Sequence, residues 1–117
     1  MGTPQLTLGE AQQCVDAWIT SIGVRYFDPL TNLAQLIEET GEVARILSRT
    51  HGEQSLREGQ TLGDLGDELA DVLFVTICLA NQSGIDLNEA LHRNLDKKTR
   101  RDATRHHSNE KLKDAPE

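Results

Sequence analysis

Two acid pairs carry most of the chemistry this sequence can do. The first lies in Glu38-Glu39-Thr40-Gly41-Glu42, the second in Glu68-Leu69-Ala70-Asp71. In a helix, three residues advance about 300°, so Glu39 and Glu42 sit about 60° apart. They border Val43 and Ile46. Asp71 is the only charge in the apolar run from Leu69 to Ala80, and Glu68 lies one turn before it on the same face. Side chains at this spacing are neighbours, roughly 5–6 Å apart at Cβ. If the two helices pack together, four carboxylates converge in a half-buried site. Like charges crowded in low dielectric either protonate or meet a cation. An oxygen-only donor set suits Mg²⁺, with Mn²⁺ as a substitute. Di-iron bundles use Glu-x-x-His pairs, and neither pair here holds a histidine. Ordinary surface acids and salt bridges are the alternative, since a lone ExxE or ExxD is common in helices.

A basic cluster follows near the C-terminal end. Asn94, Lys98 and Arg101 fall close to the wheel direction of Leu87 and Leu91, with Lys97 beside them. A carboxylate-bound cation beside such a cluster would cradle a polyphosphate between metal and side-chain cations. A solvated helix end, favourable to the helix dipole, is the alternative. His106 and His107 read as exposed loop histidines. The sequence has no GxxxxGK[ST] and no GxGxxG, so a glycine-loop phosphate site is excluded.

Composition narrows the function classes. The 117 residues carry 12 Lys and Arg against 19 Asp and Glu, a net charge of −7, and four aromatic residues. An acidic chain with few rings is poorly suited to grip a polynucleotide. The charge is uneven, however: residues 92–117 hold 8 of the 12 basic side chains and 5 of the 19 acids. Cys14 and Cys78 sit in apolar helical patterns and are expected to be buried, reduced thiols. No basic region followed by an apolar run opens the chain, and no apolar stretch is long enough to span a bilayer. The expectation is a cytoplasmic protein without a membrane partner.

Four helices are expected to position these groups. Thr7 and Glu10 form a capping box before the stripe Ala11, Cys14, Val15, Trp18, Ile19 and Ile22, which stops at Gly23. Asp28 caps a second helix with Pro29 at its first position. Its stripe is Leu33, Leu36, Ile37, Ala44 and Leu47, and His51-Gly52 ends it. Residues 52–60 read as a loop. Thr61 or Asp64 caps a third helix, apolar on nearly every side and therefore central, that ends at Gly84. Asp86 caps a fourth, with the face Leu87, Ala90, Leu91 and Leu95. The periodicity predicts an all-α, four-helix bundle-like domain over residues 1–105 and a charged, loosely ordered tail over 106–117. A small polar domain with so few rings is a marginal monomer, so a bundle completed by homodimerisation is favoured.

At this point the motifs resemble a known family. Glu38-Glu39-Thr40-Gly41-Glu42, then Gly66-Asp67-Glu68-Leu69-Ala70-Asp71-Val72-Leu73, then Ala80-Asn81-Gln82-Ser83-Gly84-Ile85-Asp86-Leu87 look like the MazG-type nucleotide pyrophosphohydrolases of the all-α NTP pyrophosphatase superfamily. The resemblance covers roughly Leu30 to Asp102. It implies a helical homodimer or dimer of dimers that hydrolyses nucleoside triphosphates to monophosphate and pyrophosphate with Mg²⁺. It implies metal binding by Glu39, Glu42, Glu68 and Asp71, with Glu38 as a further ligand or the acid that positions water. Phosphate contacts are implied at Asn94, Lys97, Lys98 and Arg101. Trp18 and the Tyr26-Phe27 pair line either a base pocket or the core and interface. A related enzyme acting on a phosphoribosyl-nucleotide, and a non-enzymatic helical module binding an ion or a partner, are the rival readings.

Overall fold

The computed structural model describes residues 2–59, 61 and 63–113, all of them in helices, turns or loops. The helices are α1 (Leu8–Ser21), α2 (Pro29–His51), α3 (Leu65–Gln82), α4 (Leu87–Asp102) and α5 (Glu110–Lys113). The chain is thus all-α, as the periodicity predicts. It divides into two compact units, Met1–Ile85 and Asp86–Glu117. No single helix among the described residues is long and apolar enough to cross a membrane.

In the first unit α3 is central and packs against both α1 and α2. Its buried residues Val75, Ile77, Cys78 and Ala80 form the core with Ile19 of α1 and Ile46 of α2. The helix boundaries follow local chemistry. Thr7 Oγ1 accepts from Glu10 N–H while Glu10 Oε1 accepts from Thr7 N–H, the reciprocal capping box. Asp64, rather than Thr61, caps α3, accepting from the N–H groups of Gly66 and Asp67. Asp28 stands at the cap position of α2 but its carboxylate makes no capping bond. Pro29 has no N–H to satisfy there. At the end of α3, Gly84 adopts φ +65°, a left-handed conformation that suits glycine. Its neighbour Ile85 then donates N–H back to the Ala80 carbonyl at 2.9 Å, closing a Schellman turn.

Two expectations are corrected. The α2 stripe Leu33, Ile37, Ala44 and Leu47 does not face α3. Leu33 is 46% exposed and Ile37 65%. The inward arc is Asn32, Gln35, Leu36, Glu39, Val43 and Ile46, about 100° away on the wheel. The helix carries two non-polar faces, and the richer one is uncovered in a single chain. Cys14 is likewise exposed, whereas Cys78 is buried. One residue is a 100° step, so Cys14 falls beyond the edge of the arc that Val15 and Ile19 press onto α3. Leu69 and Leu73 on the first half of α3 are also about half exposed.

A polar hub fixes α1, the α1–α2 loop and α3 to one another. Asn81 Nδ2 donates to the Gln12 carbonyl and to the Tyr26 hydroxyl, both at 3.0 Å, and Asn81 Oδ1 accepts from Gln12 Nε2. The Tyr26 hydroxyl in turn donates to Asp16 Oδ1 at 2.6 Å. Burial, and then that bond to Asp16, push the Tyr26 phenol up to about 12.

In the second unit, Asp86 caps α4 by accepting from the N–H groups of Asn88 and Glu89. No residue of α4 is buried. After it the chain turns and forms the single-turn α5. The tail beyond Lys113 and the loop position Gln60 lie outside the described residues.

Two measurements test the hub. Asn81→Ala leaves the Gln12 carbonyl without its side-chain donor, and urea unfolding is expected to show a loss of about 2 kcal/mol. Tyr26 is the only tyrosine, so tyrosinate absorbance reads it alone. Half-ionisation is expected near pH 12 rather than 10. The neutral phenol's contribution to stability is therefore present below pH 10 and lost as pH rises towards 12.

Candidate active site

Packing α2 on α3 places Glu39 opposite Glu68 and Asp71. Carboxylate oxygens of these three residues lie within 4.8 Å of one another, and all three side chains are half-buried. The sequence folds this way because Glu39 occupies the inward arc of α2, between Leu36 and Val43. Asp71 and Glu68 are one turn apart on α3. On the loop before α3, a Cβ built on Gly63 would lie 3.2 Å from Glu68 Oε1, so the absence of a side chain there leaves that carboxylate room.

The electrostatics are those of an uncompensated acid cluster. The Glu39 carboxyl is raised above its ordinary value, first by burial, then by the charges of Asp71, Glu42 and Glu38, and by a hydrogen bond with Asp71. Glu68 is raised by burial and then by Asp71, Glu39, Glu42 and Asp67. Among the described residues no cation pairs with any of the three. Glu42 and Glu38 are exposed and stand outside the group of three, although both charges reach Glu39.

The cluster opens into a cavity of about 330 Å³ to which Glu39 and Asp71 both contribute. Its aromatic wall includes Trp18 and Phe74, packed edge to face with centroids 5.7 Å apart. Tyr26 and Phe27 line it too, with Arg25 beside them; Arg25 Nη1 donates to the Tyr26 carbonyl. The loop that delivers these residues contains Val24 at φ +73°, an uncommon conformation for a β-branched residue. Of the residues singled out in the sequence, Trp18, Tyr26 and Phe27 thus meet at this cavity. Phe74, Asn32 and Gln35 join them without having been singled out. A polar residue at an inward position of α2 was the available signal for Asn32.

The basic residues of α4 are exposed. Arg101 is held by its neighbour: Nε and Nη2 both donate to the Asp102 carboxylate, at 2.9 to 3.1 Å. Lys97, Lys98 and Asn94 make no side-chain bond among the described residues. His106 stands 3.9 Å from Asp102, and both tail histidines are exposed.

Half-buried acids with no counter-ion among the described residues, next to an aromatic cavity, have the chemistry to take a cation together with an organic group. The fold and sequence are shared with known proteins. Residues 27–106 match the model of the MazG nucleotide pyrophosphohydrolase domain. The chain is 38% identical over 99 residues to the YpjD protein of Bacillus subtilis (strain 168), covering 85% of this chain and 89% of that one. The crystal structure of YpjD from Bacillus subtilis superposes with a TM-score of 0.70 at 37% identity, covering 81% of this chain and 95% of that one. A Bacillus-conserved MazG protein, described as a nucleotide pyrophosphohydrolase, superposes with a TM-score of 0.68 at 38% identity, over 81% and 92% of the two chains. The chain therefore belongs to the MazG nucleotide pyrophosphohydrolase family, hydrolases of the phosphoanhydride bonds of nucleotides.

Proposed function

We propose that this protein hydrolyses nucleoside or deoxynucleoside triphosphates to the monophosphate and pyrophosphate, with Mg²⁺ as its cofactor. The observation that carries the reading is the convergence of Glu39, Glu68 and Asp71 beside an aromatic cavity. Three converging carboxylates with no counter-ion among the described residues fit a hard divalent cation. In this reading Glu42, whose charge reaches Glu39 and Glu68, completes the ligand set. When bound, such a cation neutralises phosphate charge and acidifies water. Mn²⁺ offers a similar oxygen preference and substitutes for it.

The chain's own groups then divide the work. A carboxylate oxygen of Glu39, or of Glu38 beside it, orients the attacking water and takes its proton. Water oxygen bonds to phosphorus, the bond to the bridging oxygen breaks, and pyrophosphate leaves. The aromatic wall holds the nucleoside and excludes solvent from one side. Asn94, Lys97, Lys98 and Arg101 are assigned to phosphate by residue type and resemblance. The reading includes a homodimer or dimer of dimers, supported by the exposed Leu33, Ile37, Leu69 and Leu73.

Glu68→Gln and Asp71→Asn are each expected to lower Mg²⁺-dependent pyrophosphate release more than about 100-fold with helicity retained. Full turnover by either variant overturns the assignment. Chelation should abolish activity, and Mg²⁺ or Mn²⁺ should restore it.

Stability supplies a second check. Glu39 binds its proton more readily folded than unfolded. The protein without metal should therefore lose stability as pH rises through 4.5 towards neutrality. Glu39→Gln should reduce that loss, to which Glu68 also contributes, raise the melting temperature of the chelator-treated protein at pH 7, and abolish the further rise on adding Mg²⁺.

A further inference from the structure

One group in the cavity is left out of this chemistry. Asn32 is 4% exposed, the one buried polar side chain among the described residues, and it lines the same cavity as Glu39 and Asp71. Its amide is oriented by a relay. The Phe27 carbonyl can only accept, so Gln82 must present Nε2 to it, and the two are bonded. Gln82 Oε1 is thereby turned to accept, and Asn32 Nδ2 donates to it at 2.9 Å. Both ends of Gln82 are used. Asn32 Oδ1 is then fixed as an acceptor, and it receives no hydrogen bond among the described residues. Gln35, one turn along on α2, also lines the cavity and makes no bond among the described residues that would orient its amide.

We propose that Asn32 is the specificity-determining residue of a nucleobase subsite, which takes bases whose amino group stands at C4 of a pyrimidine or C6 of a purine. The inference deepens the triphosphate reading, since it places the base in the cavity that begins at the metal-binding acids. An amino group projects beyond the ring and offers N–H to the waiting Oδ1. A 4-oxo pyrimidine or 6-oxo purine presents a carbonyl at that position, lone pair against lone pair. Its ring N–H does not remove the conflict, because a carbonyl flanks it. A buried acceptor left unpaired is costly, and sites built around such a hydrogen bond discriminate strongly against analogues that lack it. Trp18 and Phe74 supply the apolar surface for the ring, and the rotatable Gln35 amide adapts to the rest of the edge. Asn32 contacts the base; Gln82 acts through Asn32 and is a positioning residue.

The test separates base recognition from hydrolysis. Trp18 is the only tryptophan and lines the cavity, so its fluorescence reports occupancy without catalysis. In chelator-treated protein, cytidine and adenosine should bind at least about 10-fold tighter than uridine and inosine. Zebularine and purine riboside, in which hydrogen replaces the amino group, should lose the same factor. Asn32→Ala should bring all six nucleosides to within about 3-fold of one another. Gln82→Leu, which keeps Asn32 but frees its amide to turn, should relax the amino-over-oxo preference while circular dichroism stays unchanged. The same order is expected in kcat/KM for pyrophosphate release from the triphosphates of cytidine, adenosine, uridine and inosine with Mg²⁺. Equal binding of cytidine and zebularine, a preference for oxo bases, or a preference that survives Asn32→Ala overturns the proposal. Selective nucleoside binding without triphosphate hydrolysis upholds this subsite and sinks the reaction reading. Hydrolysis without base selectivity does the reverse.

Discussion

The repulsion among three half-buried carboxylates is the constraint around which the first unit is arranged. Glu39, Glu68 and Asp71 are brought together by the packing of α2 on α3, and no cation pairs with them among the described residues. Apolar contacts must therefore hold them there against their own charge. Val75, Ile77, Cys78 and Ala80 of α3, with Ile46 of α2 and Ile19 of α1, supply those contacts. The acids sit at the edge of this core, where desolvation is partial and a cation can still enter. A site buried deeper would be protonated and inert, and one fully exposed would bind a cation weakly.

The polar groups of the core serve a different purpose. Asn81, Tyr26, Gln12 and Asp16 form one chain of bonds, and Asn32, Gln82 and Phe27 form another. Both anchor the α1–α2 loop, through the side chain of Tyr26 and the carbonyl of Phe27. That loop lines the cavity and contains the left-handed Val24. Adjacent residues of α3, Asn81 and Gln82, thus set the position of the loop and the orientation of the amide inside. Cavity shape and cavity polarity are coupled through one turn of helix.

Much of this was legible in the sequence, and the parts that were not share a cause. Caps and glycines marked the helix ends because their chemistry is local: Thr7 with Glu10, Asp64, Gly84 and Asp86 each act within a few residues. The acid pairs were legible because one interrupts an apolar run. The inward face of α2 was misread. Counting apolar residues selects Leu33, Leu36, Ile37, Ala44 and Leu47, of which only Leu36 lies on the face turned to α3; that face also includes the polar Asn32, Gln35 and Glu39, which a count of apolar residues passes over. Cys14 was misplaced for a related reason, since an apolar pattern does not say which part of a wide face a neighbour covers. The amide relay was invisible because Asn32 and Gln82 lie 50 residues apart.

The two faces of α2 have an evolutionary consequence. One arc carries an acid of the carboxylate cluster and the amide of the cavity, while the other presents leucines and isoleucine to the outside. The two are interleaved in sequence yet separated by about 100° around the helix axis. Substitutions along α2 would then fall into two superposed helical rhythms, one altering what the protein reacts with and the other what it adheres to. A single 23-residue segment thereby lets the lining of the cavity and the character of the outer surface drift independently.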